Sequence, residues 1–197
     1  MLRGMKSFAG CSRFGFCPTR LLSAFALLSC FSMTSRLQAA NDSEKEMRDG
    51  FFLIHNVCHE ESQVHFITMM KTTPSYLVDY VTRISKLADD TLDTLDDMGD
   101  HDHALKSDDS PLPAFERAVR ASISDEKRHD LLFGTKGPAF SRALILTQLD
   151  ASNYIANMAK VLAEEDQDDR RASKFDKISR QWMAIRSEGI LFLSANS

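Results

Sequence analysis

The chain has 197 residues, the length of one domain. Hydrophobic residues make up 43% and charged residues 26%, a globular balance that excludes wholesale disorder. Eight glycines and five prolines are too few for a collagen or a Pro-rich linker, and few for a turn-dense β-sandwich; a mean hydropathy of -0.26 excludes a polytopic membrane protein.

The net charge of -4 is unevenly spread. Residues 1–40 hold Arg3, Lys6, Arg13, Arg20 and Arg36 and no acid, which leaves 19 of the 24 basic residues against all 28 acidic ones, a net -9 for the remainder. So acidic a body repels phosphate backbones, and no nucleic-acid partner is expected. It is also a poor fit to anionic lipid surfaces.

The first forty residues read as a secretory signal peptide: a basic region from Met1 to Arg20, an apolar run from Leu21 to Met33, then Leu37-Gln38-Ala39-Ala40. Small residues at 39 and 40 suit signal peptidase, which predicts a mature N-terminus at Ala40 or Asn41 and a single domain over 41–197. The apolar run is too short to remain as a membrane span. Leu27-Leu28-Ser29-Cys30 loosely resembles a lipoprotein box, with Cys30 as the lipidated residue; Leu28 fits it poorly, and export to the periplasm is the preferred destination. Cys11, Cys17 and Cys30 fall in the leader, so the mature chain keeps only Cys58 and forms no internal disulfide.

Helical periodicity governs the rest. A first helix is expected from Asp42 to Thr72. A second follows Thr73-Pro74-Ser75, with Leu77, Tyr80, Val81, Ile84, Leu87, Ala88, Leu92, Leu95 and Met98 on one stripe and Gly99 at its end. After a polar loop, Asp100 to Ser110, Ser110-Pro111-Leu112-Pro113 opens a shorter helix to Phe133. Gly134 to Gly137 breaks the pattern. A fourth helix starts at Pro138 with Phe140, Leu144, Ala151, Ile155, Met158 and Leu162 inward. The acidic stretch Glu164 to Asp169 precedes a last helix with Phe175, Ile178, Trp182, Ile185, Gly189 and Leu193 on one face. No segment alternates with period two. Long helices with short connections predict an all-α, antiparallel up-down bundle.

Candidate chemistry concentrates at the end of the first helix. His55 and His59 are four apart, as are Glu61 and His65, so each pair shares a helix face and points imidazole or carboxylate to one spot, as a first-row metal requires. Two ligands do not make a site, and a polar helix face is the simpler reading of each pair. A zincin motif starting at His59-Glu60 needs histidine at 63, where the chain has Gln63, so that reading falls. Cys58 lies where a neighbouring imidazolium would activate it, yet its spacing suits a small core residue better. Asp100-His101-Asp102-His103 with Asp108 and Asp109 reads as a surface loop that does not enforce metal geometry. Arg170-Arg171-Ala172-Ser173 reads as a helix start, Asn41-Asp42-Ser43 as a sequon at the cleavage site, and Met69, Met70, Met98, Met158 and Met183 as core filler.

Two stretches carry a family resemblance. One is Glu61-Ser62-Gln63-Val64 running into Thr73-Pro74-Ser75 and Tyr80-Val81-Thr82-Arg83-Ile84; the other is Gly137-Pro138-Ala139-Phe140-Ser141-Arg142-Ala143-Leu144, followed at distance by Ile185-Arg186-Ser187-Glu188. In order and spacing they resemble the exported bacterial family called domain of unknown function 4142, over most of residues 48–194. The resemblance implies a ferritin-like four-helix bundle with a carboxylate and histidine constellation for metal in its core. It places Glu61 at the family's first-helix glutamate. The family's Asp-His pairs fall near Leu87-Ala88 and Ala151-Ser152, and its last histidine near Glu188, so the chain departs from the pattern where the chemistry needs it. A reduced site would use Glu61, His65 and Glu188, with His59 as a further candidate.

The expectation is therefore an exported, periplasmic, ferritin-like bundle acting as a non-enzymatic structural or interaction module of the cell envelope, with a possible envelope protein as partner and no cofactor. The alternative is a metal-binding or redox protein holding iron, manganese or zinc at the reduced site, and a third class is a carrier with a ligand cavity between its helices.

Overall fold

A computed structural model describes residues 21–106 and 110–195, with side chains from Asp42 onward. The predicted basic leader segment Met1 to Arg20, with Cys11 and Cys17, and the loop residues Asp108 and Asp109 lie outside the described residues. Packing divides the chain into two units, Met1–Asp42 and Ser43–Ser197, and the bundle is the second.

The described residues are mostly helical and contain no strand. In order come α1 (Leu21–Ser62), α2 (His65–Met69), α3 (Ser75–His101), a 3-10 turn (His103–Leu105), α4 (Ala114–His129), a wide helical turn (Asp130–Gly134), α5 (Gly137–Glu165) and α6 (Asp169–Ala195). None of the described helices is long and apolar enough to cross a membrane.

The core comes from four apolar stripes. Met47, Phe51, Ile54 and Cys58 from α1 meet Leu77, Tyr80, Ile84, Ala88 and Leu95 from α3. Phe140, Leu144, Ile155 and Ala159 from α5 and Phe175, Ile178 and Trp182 from α6 complete it. These spacings of three and four residues put each set on one side of its helix. α5 and α6 pack along their length as a hairpin joined by residues 166–168. At its corner Asp168 Oδ1 accepts from the Arg170 and Arg171 amides at 2.8 and 3.2 Å and so caps α6. Arg171 then reaches back to Asp166 (2.7 and 2.9 Å) and across to Asp102. The Arg170-Arg171 string is thus a helix start, as its sequence suggests.

Four expectations need correction. The first predicted helix does not run to Thr72: α1 stops at Ser62, and Gln63 and Val64 make tight turn bonds to the Glu60 and Glu61 carbonyls. Ser85 of α3 pins that break, donating to the Glu61 carbonyl and accepting from the His65 amide, both at 3.2 Å. Gly99 does not end α3, which continues to His101; a Cβ there would lie 2.8 Å from Lys106 Cε, so the glycine makes room for the lysine stem. Met69 and Met70 are not core filler: they are 73% and 69% exposed. Finally, the shorter helix expected to run to Phe133 ends at His129 and passes into the wide turn; α4 is amphipathic in composition and has no buried residue. Only Leu131, in the wide turn after it, enters the core. The bundle is α1, α3, α5 and α6, and α4 stands outside it.

Candidate functional site

The break after α1 fixes where Glu61 points. Its carbonyl is held by Ser85, and its side chain is buried, 8% exposed, facing α5. Burial raises its carboxyl pKa to about 7, with a smaller rise from Glu60; the Gln148 carboxamide and, more weakly, Lys127 oppose the rise. Although Gln148 lies close enough to favour the carboxylate, the two do not meet in a well-formed hydrogen bond. Glu61 Oε2 and both Gln148 amide atoms are buried without a hydrogen-bond partner. Such orphaned groups are costly in a folded interior, and a pair of them at one place calls for a physical reason.

The proposed metal residues are drawn to other tasks. His65 is half-buried, with Nδ1 3.2 Å from both the Ser62 carbonyl and Ser85 Oγ. Glu188 lies on α6 in a two-armed pair with Arg83 of α3. His55 pairs with Asp96 at 3.3 Å, while His59 faces the cleft described below. Among the described residues no group of three or more His, Cys, Asp and Glu is placed to hold a metal ion. The structure therefore does not bring Glu61, His65 and Glu188 together. In the polar loop, Asp100 pairs with Lys106 at 2.6 Å, and Asp102 caps the 3-10 turn through the Ala104 amide at 3.1 Å. Cys58 is fully buried, and burial, aided by the nearby Glu61 charge, pushes its thiol pKa up, the opposite of an activated nucleophile.

Glu61 and Gln148 instead form the floor of a cleft of about 800 Å³ between the end of α1, α2, α4 and α5. Its apolar wall is Val57, Val64, Ile67 and Leu131. Its outer side is α4, which presents Arg120, Lys127 and Arg128, each already matched to an acid: Glu116 at 3.0 Å, Asp150 at 3.8 Å and Asp125 at 3.4 Å. Because α4 buries nothing, it leaves beneath it the space that a packed helix would fill. A concave, mostly apolar volume of this size with a few convergent polar groups is the usual form of a small-molecule site. No group of three metal-ligating side chains accompanies it among the described residues.

Sequence reasoning found Glu61 but not Gln148. The signal was present: Gln148 and Ser152 occupy the Leu144–Ile155 stripe at four-residue spacing, so two polar side chains sit where the helix demands apolar ones. Comparison of the chain with protein-family models, curated proteins and solved structures finds no match.

Proposed function

We propose that this chain is an exported, non-enzymatic binding module whose cleft beneath α4 takes a small molecule with a polar head and an apolar body. The observation that supports it is the pair of orphaned polar side chains, Glu61 and Gln148, at the floor of a cleft with one aliphatic wall and a charged rim. A bound molecule would satisfy those groups and cover the wall that α4 leaves open. The reading follows the carrier class more closely than the metal class, because Glu188 is engaged by Arg83 and, among the described residues, no group of three ligands includes Glu61. Export to the periplasm, with cleavage near Ala40, rests on the leader-like residues 1–40, and the ferritin-like family resemblance belongs to the same proposal.

A fragment screen by ligand-detected NMR, on the native chain and on Ala151→Trp, tests the cleft. Ala151 lines it and is half-buried, so an indole there fills the space without entering the core. Fragments that compete for one site in the native chain, and are lost in a still-helical Ala151→Trp, are the expected result. An absence of binders, or binders indifferent to the indole, overturns the reading. Mass spectrometry of the exported protein, showing a start at Ala40 or Asn41, checks the cleavage; an intact Met1 or a lipid on Cys30 refutes it.

A further inference from the structure

The chemistry of the floor narrows the ligand class, on the reading just given that the cleft binds a small molecule. Three facts bear on it. The floor presents two unpartnered acceptors, Glu61 Oε2 and Gln148 Oε1, beside the single amide donor Gln148 Nε2. The cationic side chains of the cleft are on its outer rim, on α4, and each has an acid within 4 Å that competes for it, so none stands at the floor to receive an anionic head. The walls near the floor are aliphatic: Val57, Val64, Ile67 and Leu131.

Above pH 7, where the buried Glu61 gives up its proton, an anionic head would set a second negative charge against it in a poorly solvated place, which is costly. A neutral alcohol has one O–H, which satisfies one of the two acceptors and leaves the carboxylate charge uncompensated. An ammonium group has three N–H donors and a full positive charge, and its hydrogen bonds to a carboxylate are of the stronger, charge-assisted kind. A bare divalent cation would need several further oxygen ligands, and no cluster of three His, Cys, Asp and Glu is present among the described residues.

We infer that the cleft takes a primary ammonium ion carried on an apolar body, its N–H groups going to Glu61 Oε2 and Gln148 Oε1 and its body lying along Val57, Val64, Ile67 and Leu131. Other charges surround the floor without supplying this contact. Glu60 and His59 belong to α1, and Asp150 to α5. From α3 the buried Tyr80 phenol lies near enough to feel the Glu61 charge. Lys127 of α4 is the cation that favours the Glu61 carboxylate, but it pairs with Asp150 rather than with Glu61.

The test is calorimetric titration of the full-length chain at pH 8 with three probes of one shape: 4-phenylbutylamine, 4-phenylbutan-1-ol and 4-phenylbutyrate. The amine is expected to bind at least about tenfold more tightly than the other two, the worth of one charge-assisted hydrogen bond. Glu61→Gln, which keeps the shape, should bring the amine down to the alcohol's affinity; Gln148→Leu should weaken it by a smaller factor; and Ala151→Trp should abolish it. Amine affinity should also rise from pH 6 to pH 8 in the native chain, with release of a proton, and stay flat in Glu61→Gln. Alcohol or butyrate binding as tightly as the amine, with loss in Ala151→Trp, overturns the ammonium assignment and leaves the cleft standing. Amine binding that ignores both Glu61→Gln and Gln148→Leu overturns it as well. Absence of amine binding overturns the assignment, while the fragment screen decides the cleft separately.

Discussion

Arg83 of α3 holds Glu188 of α6 with both terminal guanidinium nitrogens, Nη1 lying 2.8 Å from Oε2. The hydrogen bonds to Glu188 raise the Arg83 pKa further, so the guanidinium keeps its charge. Both side chains are partly exposed, 51% and 34%, and solvent screens such a pair to about 1 kcal/mol or less. Glu188→Gln is therefore expected to lower the unfolding free energy by no more than about 1 kcal/mol, less still in high salt. It should leave probe titrations in the cleft unchanged. Urea denaturation at two salt concentrations measures the first; a change in cleft affinity would return Glu188 to the site.

Glu61 makes stability depend on pH in the direction opposite to an ordinary surface carboxylate. Its folded pKa is raised to about 7 by burial, from an ordinary value of 4.5. Between those values the folded chain holds a proton that the unfolded chain releases. Stability from this group is thus fullest below pH 4.5 and falls as pH rises toward 7, by up to about 3 kcal/mol. Glu61→Gln removes the titration. Subtracting its stability profile from that of the native chain should leave a decline from pH 5 to pH 7.5 that then levels off. A flat difference would mean that Glu61 is ionised in the folded chain throughout.

The bundle was legible because its stripes are clean: Leu77, Tyr80, Ile84 and Leu95, or Phe175, Ile178, Trp182 and Ile185, repeat at helical spacing and are buried as that spacing requires. The end of the first helix was not, because nothing local forbids helix at Gln63 and Val64; the break is held by Ser85, twenty residues away from His65. α4 shows the converse. Phe115, Val119 and Ile123 make a sound apolar face, yet they are 72%, 50% and 47% exposed. Periodicity tells which side of a helix is apolar, not whether a neighbour comes to cover it. Half of the floor was not legible, because an orphaned carboxamide such as Gln148 carries no charge and shows only as a polar interruption in a core stripe.

Cys58 offers a probe of opening near the cleft. It is fully buried, and burial with the Glu61 charge holds the thiol neutral. Thiolate is the reactive form, so both access and ionisation protect it. Labelling by a maleimide at pH 7.5 is expected to be slow in the native chain, to accelerate in urea along with loss of helical circular dichroism, and to slow further when the cleft is occupied. Fast labelling of the folded chain would show that α1 opens locally, without global unfolding.

Gly189 of α6 is a tighter constraint than its helical setting suggests. A Cβ there would collide with the Tyr80 hydroxyl and lie 2.8 Å from Leu149 Cδ2. Leu149 is half-buried and has rotamers to spare. Tyr80 has none: it is fully buried, its hydroxyl donates to the Ile185 carbonyl at 3.3 Å, and its ring packs edge-on against Phe192 at 5.3 Å. Gly189→Ala gains about 1 kcal/mol in helix propensity but overpacks the core at a cost of about 1–3 kcal/mol, and an immovable Tyr80 puts it toward the upper end. A net loss of about 1–2 kcal/mol is expected. Tyr80→Phe removes the colliding oxygen, so in that background Gly189→Ala should cost markedly less, and the double-mutant cycle by urea denaturation should give a favourable coupling of about 1 kcal/mol. Strict additivity would mean that Leu149, not the phenol, sets the limit on residue 189.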